Sequence, residues 1–382
     1  MKVAVVSGGR ADFGLLAPLM ERIQGSEKLE LQLILTGAHL LEEFRSTKDE
    51  AREHGLSVAW RVPELSSATT GADVAEQVGD GTKSFLNAMS RLSPGVLVLL
   101  GDRYELLAAA AAAFFLDIPV LHIHGGEVTE GAFDDVVRHV VSKFAKVHAV
   151  AAPAYRDRLI RAGEQPQSVN VVGGLGVDVL DGTKLMGREQ LGLELGVSLD
   201  ENLLVVTYHP VTAAKHDTDY EVASLLQALE AFPTATVIFT APNADPEHQR
   251  IISAITEAVE SHRSWHFFIS LGSTKYLSLI ALASAVVGNS SSGILEAPTL
   301  GVPTVNIGAR QSGRLFAQSV ISCAPDAKEI EASIRTALSK EFRGVAASAK
   351  NPYGDPGAAK KILHLLETVD FATLGAKVYF DG

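Results

Sequence analysis

Asp102, His124, Glu127 and Asp134 are the side chains of this sequence best placed to move protons. Each stands in a polar stretch just beyond a run of apolar residues. Asp102 belongs to Gly101-Asp102-Arg103-Tyr104-Glu105, and His124 and Glu127 to His122-Ile123-His124-Gly125-Gly126-Glu127. Asp134 stands beside Asp135, ahead of Arg138-His139. Acid–base chemistry needs two or three titratable groups around one reacting centre, in environments that separate their pKa values. These four are placed to converge in that way. Plainer roles compete: Asp102 fits a helix N-cap, and Asp134-Asp135 fits a capping pair at a helix start. His122 and His124 alternate along a strand, so they share a face and with Glu127 resemble metal ligands. No HExxH or Cys/His pattern accompanies them, so no metal is expected and His122 reads as a structural histidine.

A second cluster lies in Val286-Val287-Gly288-Asn289-Ser290-Ser291-Ser292-Gly293-Ile294-Leu295-Glu296-Ala297-Pro298. Apolar residues enter a polar turn, and Ile294–Ala297 read as the first turn of a helix. A strand–turn–helix of this kind offers free N–H groups and a positive dipole end to an anion. Ser290 and Ser291 add hydroxyl donors, and Glu296 can accept from sugar hydroxyls. The next apolar segment ends at Arg310-Gln311. The bland counterpart is a Ser-capped helix after a buried strand. The functional reading is a site for a nucleotide joined to a sugar.

These residues need a frame to hold them. The 382 residues exceed one ordinary core, so two domains of near-equal size are expected. Strands are expected at Val3–Val6, Leu31–Leu35, Val96–Leu100, Pro119–Ile123, Val147–Ala151 and Val169–Val172. Helical spacing runs through Leu15, Leu16, Leu19, Met20 and Ile23, and helices are expected around Gly81–Met89 and over Tyr104–Leu116. After a hinge at Gly173–Gly176 and a polar segment, a second series follows: Leu203–Thr207, Thr236–Thr240, Phe267–Ile269, Ala285–Val287 and Thr304–Ile307. Such alternation implies α/β architecture with parallel sheets. Ligands of open α/β sheets bind beyond the carboxyl ends of the strands, so two such domains facing a cleft place the site there. Neither half carries GxGxxG after its first strand, which weakens a dehydrogenase reading. A net charge of −12 without a Lys/Arg cluster argues against nucleic acid. The single cysteine, Cys323, excludes a disulfide framework. With neither a signal-peptide pattern nor an apolar run of membrane-spanning length, a cytoplasmic protein without membrane partners is expected.

Taken in order, Gly9-Arg10-Ala11-Asp12, Gly101-Asp102-Arg103, His122–Glu127, Asp134-Asp135 with Arg138-His139, His209-Pro210, Pro242-Asn243, Gly288–Ser291 with Glu296, and Arg310-Gln311 resemble the hydrolysing UDP-N-acetylglucosamine 2-epimerases of sialic-acid and related nonulosonate biosynthesis. The resemblance covers nearly the whole chain. It implies a GT-B-like fold: a Rossmann-like domain over 1–173 on the catalytic side, a second over 174–359 on the UDP side, and a helix within 360–382 crossing back to the first. It implies no cofactor, a nucleotide-sugar substrate and a homo-oligomer, dimer or tetramer. Asp102 and Asp134 match catalytic carboxylates. His209, Asn243, Ser290, Ser291, Glu296 and Arg310 match nucleotide-binding positions, and Arg10 lies near the diphosphate, with Asp12 and Arg103 beside it on the substrate. His124 stands where many relatives carry a catalytic glutamate, so either it or Glu127 takes that role.

The implied reaction eliminates UDP to a 2-acetamidoglucal, then hydrates it to the free manno-configured sugar. UDP-N-acetylglucosamine is the favoured substrate, and a UDP-linked 2,4-diacetamido-2,4,6-trideoxy sugar is the alternative. A non-hydrolysing 2-epimerase, a GT-B-type glycosyltransferase and a non-catalytic nucleotide-sugar binding protein are the competing functions.

Overall fold

The computed structural model describes residues 1–40, 51–63, 71–128, 133–211, 217–242 and 247–382. The chain divides into two compact units, one formed by 1–128, 133–179 and Gly354–Gly382, the other by Leu180–Tyr353.

The first unit holds, among the described residues, a parallel sheet of seven strands. They are β1 (Lys2–Ser7), β2 (Glu30–Thr36), β3 (Val58–Val62), β4 (Val96–Leu100), β5 (Val120–Ile123), β6 (Val147–Val150) and β7 (Val169–Val171), ordered β3-β2-β1-β4-β5-β6-β7. Its helices are α1 (Arg10–Gln24), α2 (Gly71–Leu92), α3 (Tyr104–Phe115), α4 (Phe133–Phe144), α5 (Pro153–Arg161) and the short α6 (Leu175–Asp178). Successive strand side chains point to opposite faces. Val3, Val5, Val96 and Val98 therefore meet Phe13, Leu16, Leu19, Met20 and Ile23 of α1 on one face. Ala4, Val6, Leu97 and Leu99 meet α2, α3 and α4 on the other, through Phe85, Met89, Leu106, Ala109, Val137 and Val141. The strand order reverses between β1 and β4, which is where open sheets of this kind admit ligands.

The second unit repeats the plan. Its described strands, β8 (Leu203–Thr207), β9 (Thr236–Thr240), β10 (Trp265–Phe268), β11 (Ala285–Gly288), β12 (Thr304–Ile307) and β13 (Val320–Cys323), lie parallel in the order β10-β9-β8-β11-β12-β13. Its helices are α7 (Arg188–Leu195), α8 (Thr218–Glu230), α9 (His248–Ser261), α10 (Gly272–Leu282), α11 (Ser292–Thr299), α12 (Ala327–Leu338) and α13 (Lys340–Ser348).

Helix α14 (Ala358–Thr368) rejoins the first unit, where Ala358, Ala359, Ile362 and Leu366 share the core of α1. Burying an Ile or Leu side chain stabilises by about 1.5–3 kcal/mol. The first turn of α14 is held more specifically. Asp178 accepts the N–H groups of Gly357 at 2.6 Å, Ala358 at 2.9 Å and Ala359 at 2.5 Å. A carboxylate there satisfies orphan donors and meets the positive end of the helix dipole.

Where expectation and structure differ, the differences lie at edges. β3 and β13 border their sheets and escape the sequence pattern. Helix α3 packs its alanines inward, as a helix flanked on several sides should, yet Phe114 and Phe115 at its end are exposed. No helix among the described residues is long and apolar enough to cross a membrane.

Candidate active site

In the first unit the polar residues gather where β1, β4 and β5 end. β4 stops at Leu100, and Gly101 turns the chain with φ +85° so that Asp102 and Arg103 leave the sheet. Arg103, not Asp102, is the N-cap residue of α3. Asp102 instead accepts from the Arg138 guanidinium, which α4 supplies and which is almost fully buried. A second Arg138 nitrogen lies 3.2 Å from Glu127 Oε2. Arg138 thus ties the β4 end to the β5 loop.

That loop corrects the expected alternation of His122 and His124. β5 ends at Ile123, and His124 takes φ +63°, a left-handed conformation that non-glycine residues rarely adopt. The two rings consequently have different partners. His122 is fully buried, donates from Nε2 to Gly101 O at 2.8 Å, and holds Nδ1 3.0 Å from Ser142 Oγ. Burial pushes its pKa down to about 3, so it stays neutral. His124 Nε2 accepts the Leu175 N–H at 3.2 Å, which puts the ring proton on Nδ1, 3.2 Å from Glu127 Oε1. Gly126 must be glycine: φ is +79° and a Cβ would sit 2.6 Å from Tyr155 O. Among the described residues, no three of His, Cys, Asp and Glu gather closely enough to hold a metal ion.

Asp12 opens the first turn of α1 and Asp134 that of α4. Burial raises Asp12 to about 6; Arg103 and the Gly8 N–H oppose the rise, while Glu105 and Asp102 add to it. Burial also raises Asp134 to about 6, with Asp102 adding and Arg103 and Arg138 opposing. Glu105, buried, accepts from Arg103 at 2.7 and 3.1 Å. Burial works against the Arg103 charge, but Glu105 keeps the guanidinium firmly protonated. Among the described side chains, carboxylates here outnumber guanidinium groups, so the cluster relieves its own repulsion by binding protons near neutrality.

The second unit builds its turn around Asn289. This fully buried side chain accepts the His209 N–H at 2.7 Å and donates to His209 O at 2.8 Å, locking the ends of β8 and β11 together. Its carbonyl accepts from Gln311 at 2.8 Å and Arg310 at 3.3 Å. Gly288 has φ +133°, and any Cβ there would collide with Thr207 O. Ser290 and Ser291 follow, half-buried, leading into α11. Tyr276 hydrogen-bonds Ser292, Thr207 and Ser290. Burial raises Glu296 to about 7, although Ser292 bonds it, and its Oε2 is buried without a hydrogen-bond partner. Burial, then the Arg310 charge, lowers His209 to about 3, so its imidazole is neutral.

Thus Asp12, Asp102, Arg103, His124, Glu127 and Asp134 come together in the first unit, and His209, Ser290, Ser291, Glu296 and Arg310 in the second. Arg10 begins α1. Asn243 lies outside the described residues. Glu105, Asn289, Gln311 and Tyr276 carry structural weight that residue type alone did not assign; the only signal was their place at strand ends or within the serine turn.

A family model described as UDP-N-acetylglucosamine 2-epimerase matches residues 21–367. The chain is 36% identical over 345 residues to the GDP/UDP-N,N'-diacetylbacillosamine 2-epimerase (hydrolyzing) of Campylobacter jejuni, covering 90% of this chain and 88% of the relative. It is 32% identical over 368 residues to the UDP-N,N'-diacetylbacillosamine 2-epimerase (hydrolyzing) of Legionella pneumophila, covering 96% of each. Its fold is GT-B-like. It matches the crystal structure of the UDP-GlcNAc 2-epimerase from Neisseria meningitidis bound to UDP-GlcNAc with a TM-score of 0.75 at 18% identity, over 96% of this chain and 99% of that one. The chain therefore belongs to the UDP-N-acetylglucosamine 2-epimerase family, with hydrolysing members among its relatives.

Proposed function

We propose that the protein is a hydrolysing 2-epimerase that converts a UDP-linked 2-acetamido sugar, UDP-N-acetylglucosamine first, to UDP and the free manno-configured sugar. The observation that carries this reading is the carboxyl cluster of the first unit: Asp102, paired with Arg138, lies among the proton-binding carboxyls of Asp12 and Asp134. A sensor that only binds nucleotide sugars has no use for such a cluster.

The C2 hydrogen of the substrate is not acidic in the ground state, so C1–O cleavage runs ahead and builds positive charge on the ring. Asp102, kept anionic by Arg138, stabilises that charge. Asp134 then takes the C2 proton, and the electron pair of the C–H bond closes the C1=C2 double bond as UDP departs with the C1–O pair. Water adds to C1 of the glucal, and a proton returns to C2 from the other side. Glu127 and His124 hold Arg138, and through it Asp102, in position. In the second unit the Ser290-Ser291 turn and the start of α11 receive the diphosphate. Glu296, with a carboxylate oxygen unpartnered, receives the ribose hydroxyls, and Arg310 and the neutral His209 border the same turn. The charge on the leaving group is met by serines, N–H groups and arginine, so no divalent ion is needed. Turnover that survives exhaustive chelation is expected; loss restored by zinc or magnesium would contradict it.

The two bacterial relatives described above favour UDP-N,N'-diacetylbacillosamine as a second reading. Incubation with each nucleotide sugar, followed by NMR, tests both. Free UDP with a manno-configured free sugar is the expected outcome. A UDP-linked manno sugar indicates the non-hydrolysing reaction, UDP release only with an added acceptor a transferase, and binding without turnover a sensor.

A further inference from the structure

Inversion at C2 needs a second proton donor, on the side of the sugar away from the base. The two groups nearest Asp102 on the β5 side are poorly suited to it. His124 has Nε2 occupied by the Leu175 N–H and its ring proton directed toward Glu127. Glu127 is buried between His124 and Arg138. Releasing either for proton transfer would break contacts that hold the loop.

Asp12 is differently placed. The sheet order puts β4 between β1 and β5. Helix α1 follows β1 and packs on one face of the sheet, whereas α4 follows β5 and packs on the other. Asp12 and Asp134, each in the first turn of its helix, therefore reach the end of β4 from opposite faces, with Asp102 between them. Above Gly8 the Asp12 carboxyl shares its space with Arg103 and Glu105: a Cβ added there would lie 3.4 Å from Asp12 Oδ2, 3.4 Å from Arg103 Nε and 3.5 Å from Glu105 Oε1. Asp12 is only half-buried, so a ligand can approach it.

We propose that Asp12 is the catalytic acid that delivers the proton to C2 of the glucal, opposite Asp134, while water adds to C1. The inference rests on the elimination–hydration reading above. In that step the Asp12 O–H bond breaks, a C2–H bond forms from the C1=C2 electron pair, and the water oxygen bonds C1. The proton that water loses recharges Asp12, and Asp134 gives the first proton to solvent. A pKa raised to about 6 fits a carboxyl that holds a proton for this step.

The test uses the full-length protein, the UDP-sugar, and separately 2-acetamidoglucal with UDP. In Asp12→Asn, UDP release should continue while glucal accumulates, and hydration of supplied glucal should fall by about 10²–10⁴-fold, the usual scale of a general acid. Asp134→Asn should lose glucal formation instead. Asp12→Ser, smaller and unable to donate from a carboxyl, should reproduce the Asn partition, and unchanged UDP affinity in both variants certifies their fold. Normal hydration of glucal by either variant overturns the proposal, as does an equal loss of elimination and hydration, which would make Asp12 a substrate-positioning group. A wild-type protein that neither forms nor hydrates glucal overturns the elimination reading itself, and the role of Asp12 with it.

Discussion

At the scale of single residues, the raised carboxyl pKa values make testable statements about ligand and stability. Glu296 lies near 7 because burial disfavours its charge and Oε2 has no partner. Ribose hydroxyls would donate to the ionised form, lowering its pKa in the complex. UDP binding near pH 6.5 should therefore release protons, seen by calorimetry in buffers of different ionisation heat, and Glu296→Gln should remove that release. Asp12 and Asp134 give a second expectation. Each folded-state pKa is near 6, above the unfolded value near 3.8. The folded protein therefore holds these protons more tightly, a stabilisation complete below about pH 4 and lost as pH rises through about 6. At pH 8 Asp12→Asn and Asp134→Asn should melt higher than wild type, by about 2–4 °C for each kcal/mol relieved. At pH 5 the gain should shrink, as thermal unfolding followed by circular dichroism will show. The proton-moving residue types were legible in the sequence because charged groups collected after apolar runs. The partnership of Arg138 with both Asp102 and Glu127, and the role of Asn289 as the organiser of the serine turn, were not, since each joins segments far apart in the chain.

At the scale of elements, the interior strands were legible and the edges were not. Strands such as β4 and β8 are continuous apolar runs, as strands covered on both faces must be. β3, Val-Ala-Trp-Arg-Val, is half-exposed and carries an arginine; β13, Val-Ile-Ser-Cys, is short and only partly covered. Edge strands need no continuous apolar run, so pattern alone passes over them. Helix α14 was expected from Lys360 onward and begins at Ala358, because its start is set by Asp178, far away in sequence. Removing that carboxylate orphans three N–H groups at the helix start. Asp178→Ala should cost about 1.5–3 kcal/mol, the range for bonds to a charged group. Chemical denaturation should show the loss, while UDP affinity, which resides in the other unit, should remain near wild type. An equal fall in UDP affinity would contradict that division of labour.

At the scale of the whole molecule, the two sheets divide the reaction between them: one presents carboxyls to a sugar, the other a serine turn to a diphosphate. Length and the repeated strand–helix alternation were enough to expect two α/β units, because each unit needs its own core. The substrate was less legible, since a 4-hydroxyl and a 4-acetamido group differ in contacts that no motif encodes. The central claim concerns the fate of one hydrogen and one oxygen, and isotopes read both directly. Turnover of the UDP-sugar in deuterium oxide enriched in oxygen-18 should give a free manno-configured sugar with deuterium at C2 and oxygen-18 at C1, and UDP without the heavy isotope. Retention of the original hydrogen at C2, or oxygen-18 in the β-phosphate of UDP, would contradict elimination across C1–C2.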